Sequence, residues 1–184
     1  MFASFLAVVL VCSPAAPDTT VTLGVVRRDL TGDGVPETLS LTGRGQTIDS
    51  LEVTFAITSS GRTLYETRWR VTRVVGFDAG RRVLSAAEHR ARLKELSGAF
   101  FADPKFMSPD GFVTRWRAQA PGRVGEIPEV IVRETGDSSS ARRVWDEMRR
   151  AGITVFEFST GGDGVTAIGW SATDQRFYRV LECC

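Results

Sequence analysis

Leu51-Glu52-Val53-Thr54-Phe55-Ala56-Ile57-Thr58 runs into Ser59-Ser60-Gly61-Arg62 and then Thr63-Leu64-Tyr65-Glu66-Thr67-Arg68-Trp69-Arg70, and this stretch decides the fold class. Large apolar side chains at 51, 53, 55 and 57 alternate with Glu52, Thr54, Ala56 and Thr58. Period two puts one set on each face of a strand and predicts a half-buried β-strand. Ser59 to Arg62 reads as a tight turn, and Leu64 to Val75 as the returning strand. Trp69, Val71 and Val75 then share one face, and Arg68 and Arg70 the other.

Working towards the N-terminus, Val21–Arg28 and Thr38–Thr42 are two more β-rich runs flanking a loop at Asp29. Towards the C-terminus the period changes. Ser85-Ala86-Ala87-Glu88 has the form of a capping box, and Leu93, Leu96 and Phe100 follow at helical spacing with His89 one turn earlier. Ser108-Pro109-Asp110 starts a second helix with Phe112, Val113 and Trp116 as its apolar face, and Pro121-Gly122 ends it. Pro128–Arg133 suits either a buried strand or a helical turn. Ser138-Ser139-Ser140 caps a third helix with Val144, Trp145 and Met148 facing inward and Gly152 at its end. Ile153–Phe158, Val165–Trp170 and Phe177–Leu181 then read as a three-stranded meander joined by Thr160–Gly164 and Ala172–Gln175. Both faces of these strands carry large apolar residues, so this region is expected to be covered on both sides. The pattern predicts an α+β fold: one antiparallel sheet of hairpins with a C-terminal three-stranded meander, packed by about three helices.

With 184 residues and 42% apolar composition, the chain fits one domain with an ordinary core, expected over residues 17–184. A formal charge of +1 gives no general attraction to nucleic acid or anionic membrane. Twenty-one of the basic residues are Arg and two are Lys, a bias that suits bidentate recognition of carboxylate or phosphate but also follows from a GC-rich genome. Arg62 to Lys94 carries nine basic residues against three acids, and Asp18–Glu52 leans acidic. Two mutually attracting faces explain this, as does a basic patch for an acidic partner.

Residues 2 to 11, Phe-Ala-Ser-Phe-Leu-Ala-Val-Val-Leu-Val, have the length of a signal h-region and are too short to span a bilayer. Small residues at Ser13, Ala15 and Ala16 suit cleavage, so residues 1–16 are expected to be a signal peptide. The expected location is secreted or bacterial-periplasmic, with no transmembrane span in the mature chain. No Lys or Arg stands near Met1, and a lipid anchor at Cys12 is a poorer match. Adjacent Cys183 and Cys184 leave three outcomes open in an oxidising compartment: a vicinal disulfide, pairing between chains, or burial.

One motif carries chemistry. Asp29-Leu30-Thr31-Gly32-Asp33-Gly34-Val35-Pro36-Glu37 places oxygen donors at alternate positions, with glycine after the third to permit the tight turn. The expected ligands are the side chains of Asp29, Thr31 and Asp33, the Val35 carbonyl, and Glu37. Hard oxygen donors favour calcium. The nine residues resemble the calcium loops of FG-GAP and VCBS-type repeats and of dockerins, of the form Asp-x-Asn/Asp-x-Asp-Gly-x-x-Asp. They depart from it at Thr31 and Glu37, and Ser40 stands where an EF-hand places its bidentate glutamate. The resemblance implies a structural calcium ion rather than a repeat architecture. A Gly/Asp-rich turn without an ion is the simpler alternative.

No nucleophile elbow, zinc-protease helix, phosphate loop or dinucleotide fingerprint occurs. The expected function is an exported binding or accessory domain for a protein or glycan ligand, not nucleic acid. A small metal-assisted hydrolase using Asp29, Asp33 or Asp163 is the alternative.

Overall fold

The computed structural model describes residues 20–45, 51–70, 86–119, 125–160 and 164–183; within residues 86–96, the side chains of 86, 87, 89, 90, 92, 93 and 96 are outside the described set. Expectations for the signal segment, Cys12, Val71–Val75, Ser85, Pro121-Gly122 and Asp163 lie outside it. So do those for the side chains of His89, Leu93 and Leu96.

The fold is α+β. Four antiparallel strands, β1 (Thr20–Arg28), β2 (Glu37–Arg44), β3 (Glu52–Ser59) and β4 (Arg62–Arg70), form one sheet in chain order. The helices α1 (Ala86–Phe100), α2 (Pro109–Gln119), α3 (Glu129–Thr135) and α4 (Ser138–Ala151) follow. A second antiparallel sheet is built from β5 (Phe106–Met107), β6 (Val155–Ser159), β7 (Val165–Ser171) and β8 (Arg176–Cys183).

The expected single sheet is two sheets, and the reason is burial. The first sheet has one apolar face, with Leu39, Leu41, Val53, Phe55 and Ile57 all at most 3% exposed. Extending it edge to edge would leave that face in water. Stacking it on the second sheet covers it with Phe156, Phe158, Ile168, Trp170 and Phe177. The opposite face of the second sheet meets Phe112, Ile131, Val144, Trp145 and Met148 of the helices. The meander strands are therefore covered on both sides, as their composition implied. On β6 the alternation is visible residue by residue: Val155 faces the helices, and Phe156 and Phe158 face the first sheet.

Turn chemistry explains several boundaries. Ser59 pairs with Arg62, leaving Ser60 and Gly61 as a two-residue loop with φ of 49° and 78°. Positive φ at both central residues is the type I′ pattern, whose twist matches that of the flanking strands. Ser108 starts α2, its Oγ accepting from the Gly111 N–H at 3.1 Å. Pro128–Arg133 resolves as helix, and α3 is a fourth α-helix beyond the three expected. The cap of α4 is Asp137 rather than the serines after it. Its Oδ1 accepts from the N–H groups of Ser139 and Ser140 at 2.9 and 2.8 Å. These contacts, the Ser139 hydroxyl foremost, hold the Asp137 carboxyl well below the usual carboxylate range. Gly169 lets α4 lie close on β7, since a Cβ there would stand 3.0 Å from Met148 Sδ.

Phe55 lies at the centre of the sheet-to-sheet packing. Phe55→Ala is expected to lower unfolding free energy by about 3–5 kcal/mol, the usual cost of emptying a large buried site. Gly61→Val, at a left-handed position, is expected to cost on the order of 1 kcal/mol or more. Urea unfolding of both variants checks the order; a Phe55→Ala loss below that of Gly61→Val contradicts the central role of the ring.

Candidate functional site

The loop between β1 and β2 holds all five expected metal ligands, and its hydrogen bonds show what they do. Asp29 Oδ1 accepts from the Gly32 N–H at 2.7 Å and Oδ2 from the Gly34 N–H at 2.8 Å. Asp33 Oδ1 accepts from the Val35 N–H at 2.8 Å. Gly32 and Gly34, at φ of 77° and 84°, supply the left-handed turns. Asp33 and Val35 are exposed. The two acids thus act first as acceptors for loop amides.

Glu37 behaves differently. It begins β2 in register with inward-facing Leu39 and Leu41, so its carboxylate starts the core face of the strand. Only 1% of the residue is exposed. Oε2 accepts from the Leu30 N–H at 2.8 Å and Oε1 from the Thr31 hydroxyl at 3.1 Å. The loop therefore closes as a ring, with Asp29 gathering its middle and Glu37 tying its end to its beginning. Both of these donors are neutral. The other deeply buried glutamate among the described residues, Glu157 on β6, is met by Lys105 Nζ at 3.0 Å, Arg115 Nη2 at 3.5 Å and Trp116 Nε1 at 2.9 Å.

Of the expected ligands, Thr31 and Glu37 are brought into direct contact. Asp29 faces the backbone of the same loop, and Asp33 and Val35 engage each other on its outer side. Among the described residues no group of three acidic, histidine or cysteine side chains is placed to hold a metal ion.

A second region has the shape of a site. The outer edges of the two stacked sheets, β4 and β8, border a cleft of about 620 Å³, within the range of roughly 300–1,000 Å³ usual for small-molecule sites. No residue of 29–37 is among the described residues lining it. Glu134 of α3 lines it and organises two arginines of β8. Its Oε1 accepts from Arg179 Nε at 2.6 Å and its Oε2 from Arg176 Nη2 at 3.1 Å. Arg179 also donates through Nη1 to Glu182 at 2.7 Å. The Arg176 guanidinium lies 4.1 Å over the Tyr178 ring, a cation–π contact that fixes its plane. On the β4 side, Nε and Nη2 of Arg68 donate to Glu66 at 3.0 and 2.7 Å.

Tyr65 and Trp69 supply the aromatic surface. The Trp69 indole stacks on Phe100 and Phe158 at 6.0 and 6.4 Å, and those rings are 5.6 Å apart. Two rings so close together lie on one side of the indole, towards the core. The Tyr65 hydroxyl is pushed up to about 12, chiefly by burial, with Arg179 opposing. It stays protonated, and so remains a donor, throughout the physiological range.

Sequence reasoning missed this cleft. Its only local signals are Arg176 and Arg179 spaced three apart and the alternation Tyr65-Glu66-Thr67-Arg68-Trp69. What makes it a cleft is the meeting of two edges more than a hundred residues apart. Comparison with protein-family models, with curated proteins and with solved structures finds no match. The geometry alone carries the functional reading.

Glu37→Ala leaves the buried Leu30 N–H without its acceptor, at an expected cost of about 1–3 kcal/mol. Glu37→Gln keeps an acceptor oxygen and is expected to lose less than half as much. Chemical denaturation of the pair checks this; equal losses mean that the Leu30 contact is not what the carboxylate supplies.

Proposed function

We propose that this chain is an exported binding domain that holds its ligand in the β4–β8 cleft, with the Asp29–Glu37 loop bracing the first sheet. The cleft carries the reading. It is concave, it pairs aromatic surface with oriented polar groups, and Glu134, at 15% side-chain exposure, holds two of its guanidiniums in place. Such preorganisation lowers the entropy cost of capturing a ligand. Export is supported by the apolar run Phe2–Val11 and by Cys183, which is disulfide-bonded, a state that persists in oxidising compartments. No described helix is long and apolar enough to cross a membrane.

A binding role is favoured over a metal-assisted hydrolase by the separation of parts. The carboxylates of Asp29 and Asp33 accept from their own loop, and the lining of the cleft comes from other elements. A hydrolase needs both in one place. The test is protein-observed NMR with a library of small polar fragments. The largest shift changes are expected at β4 and β8, around Tyr65, Trp69 and Arg179. Changes centred on residues 29–37, or none at millimolar fragment, overturn the cleft assignment.

Calcium in the loop is a second reading, and one observation favours it. Among the described residues Glu37 is met by neutral donors, and burying a carboxylate without a compensating positive charge is costly. A divalent cation beside Glu37, Thr31 and Asp29 would supply that charge. Asp33, now turned to the Val35 N–H, would have to rotate to join them. With an extracellular-type affinity of about 10⁻⁴ to 10⁻³ M, millimolar calcium adds roughly 0.4–1.4 kcal/mol to stability. Thermal unfolding with 1–5 mM calcium is expected to rise for the native chain and not for Asp33→Ala. An unchanged melting temperature with no calorimetric heat leaves the loop as a hydrogen-bonded turn.

A further inference from the structure

The ligand class can be read from the charge balance of the cleft. Among the described residues that line it, Arg68, Arg176 and Arg179 stand against Glu66, Glu134 and Glu182, three of each sign. An anionic ligand meets as many carboxylates as guanidiniums, and a cationic one the reverse. Neither gains the one-signed field that a charged partner rewards.

A neutral, hydroxyl-rich ligand suits the balance. The ion pairs occupy only part of each guanidinium. Arg179 uses Nε and Nη1, Arg68 uses Nε and Nη2, and Arg176 uses Nη2. Among the described residues, N–H donors on all three are left without an acceptor, and the carboxylates hold them in orientation. The carboxylates keep lone pairs that accept. A hydroxyl is both donor and acceptor, so one such group can accept from arginine and donate to glutamate at once. Thr67, Thr160 and Thr166 add hydroxyls of their own to the wall. Trp69, supported from behind by Phe100 and Phe158, and the half-buried Tyr65 give rigid apolar surface against which the C–H face of a sugar ring packs. The elongated border of two strand edges suits a chain of such rings better than one compact molecule.

We infer that the β4–β8 cleft takes a neutral oligosaccharide, held by arginine–glutamate pairs at its hydroxyls and by Trp69 and Tyr65 at its ring faces. This rests on the cleft being the ligand site. An extended peptide added to the free edge of β4 or β8 is the competing occupant.

The test is an array of neutral oligosaccharides, uronic-acid oligosaccharides and unstructured peptides, followed by calorimetry on the probes retained. Arg68→Ala and Glu182→Gln serve as variants because both side chains are substantially exposed and neither belongs to the core. Their fold is checked by circular dichroism. A neutral oligosaccharide is expected to bind with an affinity that changes less than twofold between 50 and 500 mM salt, and each variant is expected to weaken it about tenfold. If only acidic sugars or peptides bind, and Arg68→Ala weakens them, the sugar assignment falls and the cleft stands. If a neutral sugar binds equally well to both variants, the cleft falls too. Retention of no probe at millimolar concentration also sinks the inference.

Discussion

The molecule depends on a sheet that must be buried on both faces, and on one ring that secures its inner side. Phe55 of β3 meets Tyr65, Phe100, Phe101, Phe156 and Phe158, with centroids 5.0 to 6.4 Å away. These partners come from the neighbouring strand, the end of α1 and β6, so one side chain ties three parts of the chain into one contact. Aromatic pairs of this kind add to simple area burial through their tilted and edge-on geometries. Once Phe55 sets the stacking, the other face of the second sheet is left for α2, α3 and α4. The amphipathic helix α4 answers with Ala141, Val144, Trp145 and Met148, all buried.

Two glutamates sit where these layers demand apolar residues, and they are accommodated by opposite means. Glu157 lies between Phe156 and Phe158 and points towards the helices. There Lys105 and Arg115 bring charge, and the Trp116 indole brings a neutral N–H. A buried ion pair repays its desolvation only with such supporting hydrogen bonds, and removing one partner is far costlier than the pair is worth. Glu157 thereby links the short helical turn at Asp103–Lys105 and α2 to β6. Glu37 meets no such charge among the described residues, where a backbone amide and a hydroxyl from its own loop serve it. Among the described residues, the charge of Glu157 is thus matched by cations and that of Glu37 by neutral donors.

How much of this was legible follows from the range of each interaction. The β3–β4 hairpin was readable because period two and Ser60-Gly61 act within a dozen positions, although β4 starts at Arg62, two residues before the expected Leu64. The double cover of the last three strands was readable because apolar residues at consecutive positions leave no face for water. The partition into two sheets was not, since both a continued sheet and a stacked one satisfy the same alternation. Only the shapes of the faces decide between them. Phe106–Met107 escaped notice as a strand because two residues show no period; it exists by pairing Phe106 with Phe156. At the β1–β2 loop the oxygen-bearing side chains were visible as a group. Their orientation was not, because an aspartate that accepts from its own loop and one that faces an ion share the same letters.

The cleft follows from the same layering. Two antiparallel sheets stacked on one apolar cluster each have two edge strands, and here one edge of each, β4 and β8, comes to the same border. Free edges invite unwanted pairing unless they are covered or charged. α3 packs along β8, and Glu134 from that helix holds Arg176 and Arg179 across it. On β4, Arg62, Arg68 and Arg70 with Glu66 charge the other edge. Groups that protect an edge from another strand are rigid, polar and solvent-facing, and those are also the properties a ligand needs. Protection of the edges and recognition at the cleft can therefore share one set of side chains, because arginines held by carboxylates offer hydrogen bonds outward without presenting a bare backbone.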